Sequence, residues 1–428
     1  MDASHRDLLS KSVKHVATSV WKSDLLFTKA KGTKIWLNGK PHLDFACGPG
    51  VANIGWNHPE VVETVCRVLR NNETGWGGNM LLNRYQAELA ERLCQITPGN
   101  FSKKVFFSNS GGEAVEAAII ACMKRRPERP GMLSFIGDFH GRLGFGRTAT
   151  TSKRLHIEGL PQAMPKAFYL VFPTRNPENF FQCDFFRNDD PSDSFCSDKY
   201  MRYVQNTIDP FIQDINFAIF ELIQGEGGIN IADKAAIQAL FHYLKENGVW
   251  TIVDEVQTGL GRTGKMWASE LYEVEPDIIT VAKALSGGVI PIGATVMRDE
   301  LSYQTAGEHC NTFGAVPAAC AAGLKVLDII EKEKLVKKSA AGGIFLRERV
   351  DRAIGLGQMS RMTFGDMRFR DLVATEALKR GLYLTNTGAK SLRLMPPLII
   401  TNKEIERASE IFKGSIDMAY KRMVDRTE

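Results

Sequence analysis

Short apolar runs that end abruptly in polar or charged residues recur through the middle of this chain. Phe217-Ala218-Ile219-Phe220 leads into Glu221-Leu222-Ile223-Gln224-Gly225-Glu226-Gly227-Gly228. Val249-Trp250-Thr251-Ile252-Val253 leads into Asp254-Glu255-Val256-Gln257-Thr258-Gly259, and Asp277-Ile278-Ile279-Thr280-Val281-Ala282 into Lys283. Between about residues 51 and 320 such runs alternate with helical segments such as Tyr85 to Cys94 and Ala235 to Asn247, the pattern of a mostly parallel sheet covered by helices. Open sheets of this kind bind ligands just past the carboxyl ends of their strands, so the polar residues after each run are the candidate site.

Lys283 and Asp254 are the most informative of these. A lysine at the end of a buried strand loses solvation and has a lowered pKa, which suits an amine that must form a Schiff base. A strand-end carboxylate is the partner a pyridinium nitrogen needs, although the same two residues also fit a simple salt bridge. Upstream, Phe106-Phe107-Ser108-Asn109-Ser110-Gly111-Gly112-Glu113-Ala114 reads as a short strand, a Gly turn and a helix start. Free N–H groups at such a start form an anion site, and Gly permits close approach of a phosphate, though Gly-Gly also serves as a plain turn. Gly137-Asp138-Phe139-His140-Gly141-Arg142 offers an aromatic face, an imidazole and a guanidinium suited to a carboxylate. Asn311-Thr312-Phe313-Gly314 and Arg393 complete the set.

The series resembles the class III, or ω-amino acid, aminotransferases of the fold type I pyridoxal-phosphate enzymes, in the manner of 4-aminobutyrate aminotransferase, from about Gly32 to about Thr401. The most specific stretches are Asp254-Glu255-Val256-Gln257-Thr258-Gly259-Leu260-Gly261-Arg262-Thr263-Gly264 and Pro276 to Gly288, which contains Ala282-Lys283-Ala284-Leu285. The resemblance implies an α/β large domain at 51–320, with a smaller α+β domain built from 1–50 and 321–428. It implies pyridoxal phosphate held by Lys283, which then carries a proton between Cα and C4′. Asp254 pairs with the ring nitrogen, Phe139 stacks on one face with His140 beside it, and Val256 packs on the other. Gln257 donates to the phenolic oxygen, while Gly111 and Gly112 bind phosphate. Thr312 reaches the phosphate of the neighbouring subunit's cofactor, making a homodimer or a dimer of dimers, or else caps a local turn.

For substrate, the resemblance implies an ω-amino acid, such as 4-aminobutyrate or an ornithine derivative, or a related amine, with 2-oxoglutarate or another 2-oxo acid as acceptor. Arg393 then binds the α-carboxylate of glutamate or 2-oxoglutarate and Arg142 the distal one. Glu226 swings onto Arg393 when an ω-amino donor is bound, or forms a permanent pair with it; Glu221 supports the loop or the substrate side of the pocket. An amino-acid racemase, epimerase or aminomutase would use the same fold, cofactor and lysine. Departures from the family pattern include Gly112 in place of a hydroxyl-bearing residue, Cys47-Gly48-Pro49-Gly50, Gly75-Trp76-Gly77-Gly78-Asn79-Met80, and Ala315-Val316 before Pro317.

A chain of 428 residues with 44% apolar and 24% charged residues has the composition of a globular protein. Its 54 basic and 49 acidic residues are interspersed, which argues against nucleic-acid binding. The eight cysteines show no CxxC spacing and read as free thiols, with no metal site expected. No secretion sequence or membrane-length apolar run is evident, so a cytoplasmic location is expected. Lys34-Ile35-Trp36-Leu37, Asn38-Gly39 and His42-Leu43-Asp44-Phe45 predict a hairpin, and Pro317 to Lys332 a long helix. Asn176 to Asp198 reads as a mobile surface insertion.

Overall fold

The apolar runs pair into one seven-stranded sheet. Its spatial order is Lys103–Ser108, Gly293–Arg298, Ile278–Val281, Trp250–Asp254, Ile215–Phe220, Gly131–Phe135 and Lys166–Leu170. Gly293–Arg298 runs antiparallel to both neighbours, and the remaining pairs are parallel. The computed structural model describes residues 3–17, 25–75, 81–174 and 194–425.

Period-two alternation along the strands assigns the layers. Phe217, Ile219, Ile252 and Ile278 share a core with Val115, Ala118, Ile119 and Cys122 of the helix Gly111–Arg125. Ala218, Phe220 and Val253 point the other way, into a core with Tyr200, Val204, Ile237 and Leu240 from the helices Ser194–Ile208 and Lys234–Glu246. Ile279, Val281, Ala294 and Val296 meet Ala322, Val326 and Ile329 of Pro317–Lys332. Both faces of the sheet are therefore covered over its central strands, which leaves the carboxyl ends of those strands as the place for a ligand.

The predicted hairpin forms between Lys34–Leu37 and Lys40–Asp44, turning at Asn38 and Gly39, both in the left-handed region. Leu382–Tyr383 from the C-terminal part joins it, running parallel to Lys40–Asp44. A second, antiparallel sheet of Ile354–Leu356, Met359–Thr363, Ser391–Leu394 and Asn386–Thr387 brings in Arg393. Leu43 and Phe45 share one core with Leu346, Val373, Leu392 and Phe412, so the two ends of the sequence fold against each other.

At Gly111 and Gly112 the structure differs from the sequence expectation. The turn is made by Asn109 and Ser110, and the glycines are already the first residues of a helix capped by Ser110, whose Oγ accepts from Glu113 N at 3.2 Å. The region 76–80 and most of the Asn176–Asp198 segment, up to 193, lie outside the described residues; from Ser194 that segment is helical. Among the described residues no helix is long and apolar enough to cross a membrane.

The helix Leu335–Arg349 lies so close to the turn before Met359 that a Cβ at Gly343 would come within 1.7 Å of Gly357 O. A Cβ at Gly414, inside Asn402–Val424, would meet nothing within 4 Å. Gly343→Ala is therefore expected to destabilise the fold by about 2 kcal/mol through overpacking. Gly414→Ala should stabilise it by about 1 kcal/mol through helix propensity. Shifts of the urea midpoint in opposite directions check the pair.

Candidate active site

Three strands deliver their terminal residues to one cavity of about 300 Å³: Ile215–Phe220 brings Glu221, Trp250–Asp254 brings Asp254, and Ile278–Val281 leads to Lys283. Of the residues singled out from sequence, Gly111, Gly112, Phe139, His140, Arg142, Glu226, Val256 and Gln257 also line it. Arg393 is buried behind Glu226. Thr312 is exposed and lies outside this lining, beside Phe313, which is 63% exposed.

Asp254 does not form the salt bridge with Lys283 that its position also allows. Its Oδ1 accepts from Val256 N at 3.0 Å and Thr280 Oγ1 at 3.2 Å, and its Oδ2 lies 2.9 Å from His140 Nδ1. The other ring nitrogen of His140, Nε2, lies 3.3 Å from Asp138 Oδ2. Burial works against the imidazolium, but the bonds to Asp138 and Asp254 outweigh it and hold His140 at about 10. Asp138 stands in the Gly137 to Arg142 stretch, yet its pairing with His140 has no sequence signal.

Burial pushes Glu221 up to about 8, with Asp138 and Asp254 adding repulsion against the pull of His140. Its oxygens accept from Phe139 N at 2.8 Å and Gly225 N at 2.9 Å, tying the aromatic loop to the strand end.

Lys283 is half-buried and holds φ +44°, a left-handed conformation rare for a side-chain-bearing residue. Its ammonium is held below the usual lysine range by burial first and by the nearby Arg393 charge second, against the opposing pull of Asp254, Glu221 and Glu226. Val256 fits the hollow left by Gly111, where a Cβ would lie 2.8 Å from Val256 Cγ1. Gln257 Nε2 donates to Pro49 O at 3.1 Å, committing one of its N–H groups to the Cys47 to Gly50 loop. Arg393 Nε donates to Asn386 O at 3.3 Å, and its NH2 group is paired with Glu226 Oε2. The other Glu226 oxygen is paired with Lys153, a residue that sequence reasoning missed.

These groups fit pyridoxal phosphate. An anion site at the N-terminus of a 15-residue helix, an aromatic ring, a buried carboxylate already oriented by an imidazole, and an amine of lowered pKa line one cavity of suitable size. Fold and site together define a fold type I pyridoxal-phosphate transferase.

The sequence profile of the class III aminotransferases matches residues 16–416, and the chain belongs to that family. It is 32% identical over 411 residues to the acetylornithine aminotransferase of Archaeoglobus fulgidus, covering 95% of this chain and 99% of that one. It is 31% identical over 413 residues to the probable 4-aminobutyrate aminotransferase of Bacillus subtilis, covering 91% and 92%. A Bacillus anthracis aminotransferase structure superposes with a TM-score of 0.85 at 26% identity, over 98% of this chain and 100% of that one. An (S)-enantioselective omega-transaminase from Thermomicrobium roseum shares the fold, with a TM-score of 0.87 at 24% identity over 98% and 99%.

The His140 value sets a pH dependence. Because it is raised above the ordinary 6.5, its contribution to stability is complete below pH 6.5 and is lost as the pH rises through about 10. Nitrogen-15 NMR of histidine-labelled protein should show both His140 nitrogens protonated at pH 8. In Asp138→Asn the ring should release a proton at a lower pH.

Proposed function

We propose that this aminotransferase moves the ω-amino group of a carboxylate-bearing donor to 2-oxoglutarate. The donor class is an ornithine derivative, as the names of the acetylornithine relatives indicate, ahead of 4-aminobutyrate. The observation that carries the reading is Glu226 seated on the buried Arg393. An ω-amino donor presents its reactive carbon without an α-carboxylate, and a bare Arg393 in a partly dry cavity would be an unpaired charge; Glu226 cancels it. When glutamate or 2-oxoglutarate enters, its α-carboxylate replaces Glu226 on Arg393 as a charge-assisted pair. Arg142 lines the cavity while remaining exposed, and binds the distal carboxylate.

Pyridoxal phosphate, when bound, supplies an electron sink that lets an amino group leave one carbon and join another. The remaining work falls to the chain. The N–H groups of Gly111 and Gly112 hold the phosphate, and Phe139 and Val256 offer apolar surfaces to the ring. Asp254, oriented by His140, supplies the counter-charge for the ring nitrogen, and Gln257 uses its remaining N–H for the phenolic oxygen. Lys283 anchors the cofactor and, because its amine is less basic than usual, serves as the proton carrier between Cα and C4′. The exposed Thr312 and Phe313 support a homodimer in which Thr312 reaches the neighbouring subunit's phosphate.

Two variants test the assignment. Lys283→Ala is expected to lose turnover by at least about 1000-fold while still binding the cofactor non-covalently. Glu226→Ala should slow the half-reaction with an ω-amino donor by about 10-fold and spare the one with glutamate, followed by stopped-flow absorbance of the cofactor. Equal loss in both would leave only a structural pair. Scrambling of a single donor enantiomer without any 2-oxo acid would mark a racemase instead.

A further inference from the structure

Glu226 is bonded to two cations at once. One carboxylate oxygen is on Arg393 and the other is on Lys153, which reaches it from a different part of the chain. A lysine on a loose surface loop would form such a pair without consequence, but Lys153 is not placed that way. The backbone before it is tied down: Thr151 N and Ser152 N both donate to Asp138 O, at 2.8 and 3.0 Å. Thr151 Oγ1 accepts from Gly137 N at 2.7 Å and donates to Phe135 O at 3.1 Å. On the other side, His156 N donates to Lys153 O at 3.0 Å, starting the short turn whose His156 ring meets Phe139 edge-on at 5.2 Å. Lys153 is therefore fixed to the loop that carries Phe139 and His140.

The loop of Glu226 is fixed as well. Gly388 N donates to Glu226 O at 2.9 Å, and Thr387 Oγ1 donates to Gly225 O at 2.7 Å. With both backbones anchored, the freedom that remains is in the side chains of Glu226 and Lys153. Resting on the switch reading above, we infer that Lys153 is the seat onto which Glu226 turns when it releases Arg393, and so a positioning residue that sets how readily the pocket accepts an α-carboxylate. One oxygen never leaves its cation. The exchange is then a pivot about Lys153, with no carboxylate left unpaired in the cavity. A ligand carboxylate gains Arg393 at the cost of one Glu226 contact, where without Lys153 it would strip Glu226 of its last partner. Burial opposes ionisation of Glu226, but Arg393 and Lys153 together hold its carboxyl below the usual range where it now sits between them.

The test uses glutarate, a dicarboxylate that competes for Arg393, and calorimetric titration of the cofactor-loaded enzyme and its variants. Glu226→Ala should bind glutarate more tightly than the unsubstituted chain, because nothing has to be displaced. Lys153→Met should bind it about 10-fold more weakly, and Lys153→Arg should restore binding. In a Glu226→Ala background, Lys153→Met should have no further effect. In turnover, Lys153→Met should slow the glutamate half-reaction more than the half-reaction with an ω-amino donor. An equal weakening of glutarate binding with and without Glu226 would overturn the inference, since Lys153 would then act on the ligand directly or on the fold. No change in Lys153→Met would overturn it too. If Glu226→Ala fails to tighten glutarate, the switch itself is wrong and the seat falls with it.

Discussion

A buried arginine holds together the pieces from which the cavity is made. Arg262, fully buried, follows the strand that ends in Asp254, and its guanidinium reaches both ends of the sequence. NH1 donates to the carbonyls of Gln358 at 3.0 Å and Pro396 at 2.6 Å, while NH2 donates to Asn53 Oδ1 at 2.6 Å and lies 3.3 Å from Cys47 Sγ. Taking a guanidinium out of water costs several kcal/mol unless its donors are matched; these four contacts meet NH1 and NH2, while the buried Nε has no hydrogen-bond partner among the described residues. The clamp is what allows Pro49, from the first fifty residues, and Arg393, from the last forty, to meet groups on the central sheet.

At the carboxyl ends of the strands, two groups of charges are arranged so that opposite signs meet. Asp138 and Asp254 flank His140, and Glu226 lies between Arg393 and Lys153. Burial is the first cause opposing the ordinary ionisation of both Glu221 and Lys283, and both face the cavity. Perturbed groups concentrate at functional sites because a poised acid or base needs an environment that disfavours its resting charge.

Much of this was legible in the sequence, for identifiable reasons. The strands announced themselves because a sheet covered on both faces demands unbroken apolar runs, and Asn38-Gly39 and Pro317 mark turn and helix start by backbone chemistry alone. The residues just past each run came to the cavity because the topology leaves them no other place. The start of the helix at Gly111 was misplaced by two residues because Gly-Gly signals a turn unless the Ser110 cap is recognised. Lys153 and Asp138 were silent for a different reason. Their partners are side chains brought near by tertiary folding, and a lone lysine or aspartate carries no periodicity that could reveal such a partner.

The left-handed backbone at Lys283 has a consequence for how this position tolerates change. A side chain held at φ +44° costs roughly 1 kcal/mol that glycine would not incur. The chain keeps at that point a residue its local conformation disfavours, and the anchoring role proposed for its amine accounts for that. Selection for thermal robustness and selection for chemistry therefore pull in opposite directions at this one site. A library of variants sorted only for resistance to heat would be drawn toward glycine at 283, and its hardiest members would be the ones least able to do the work.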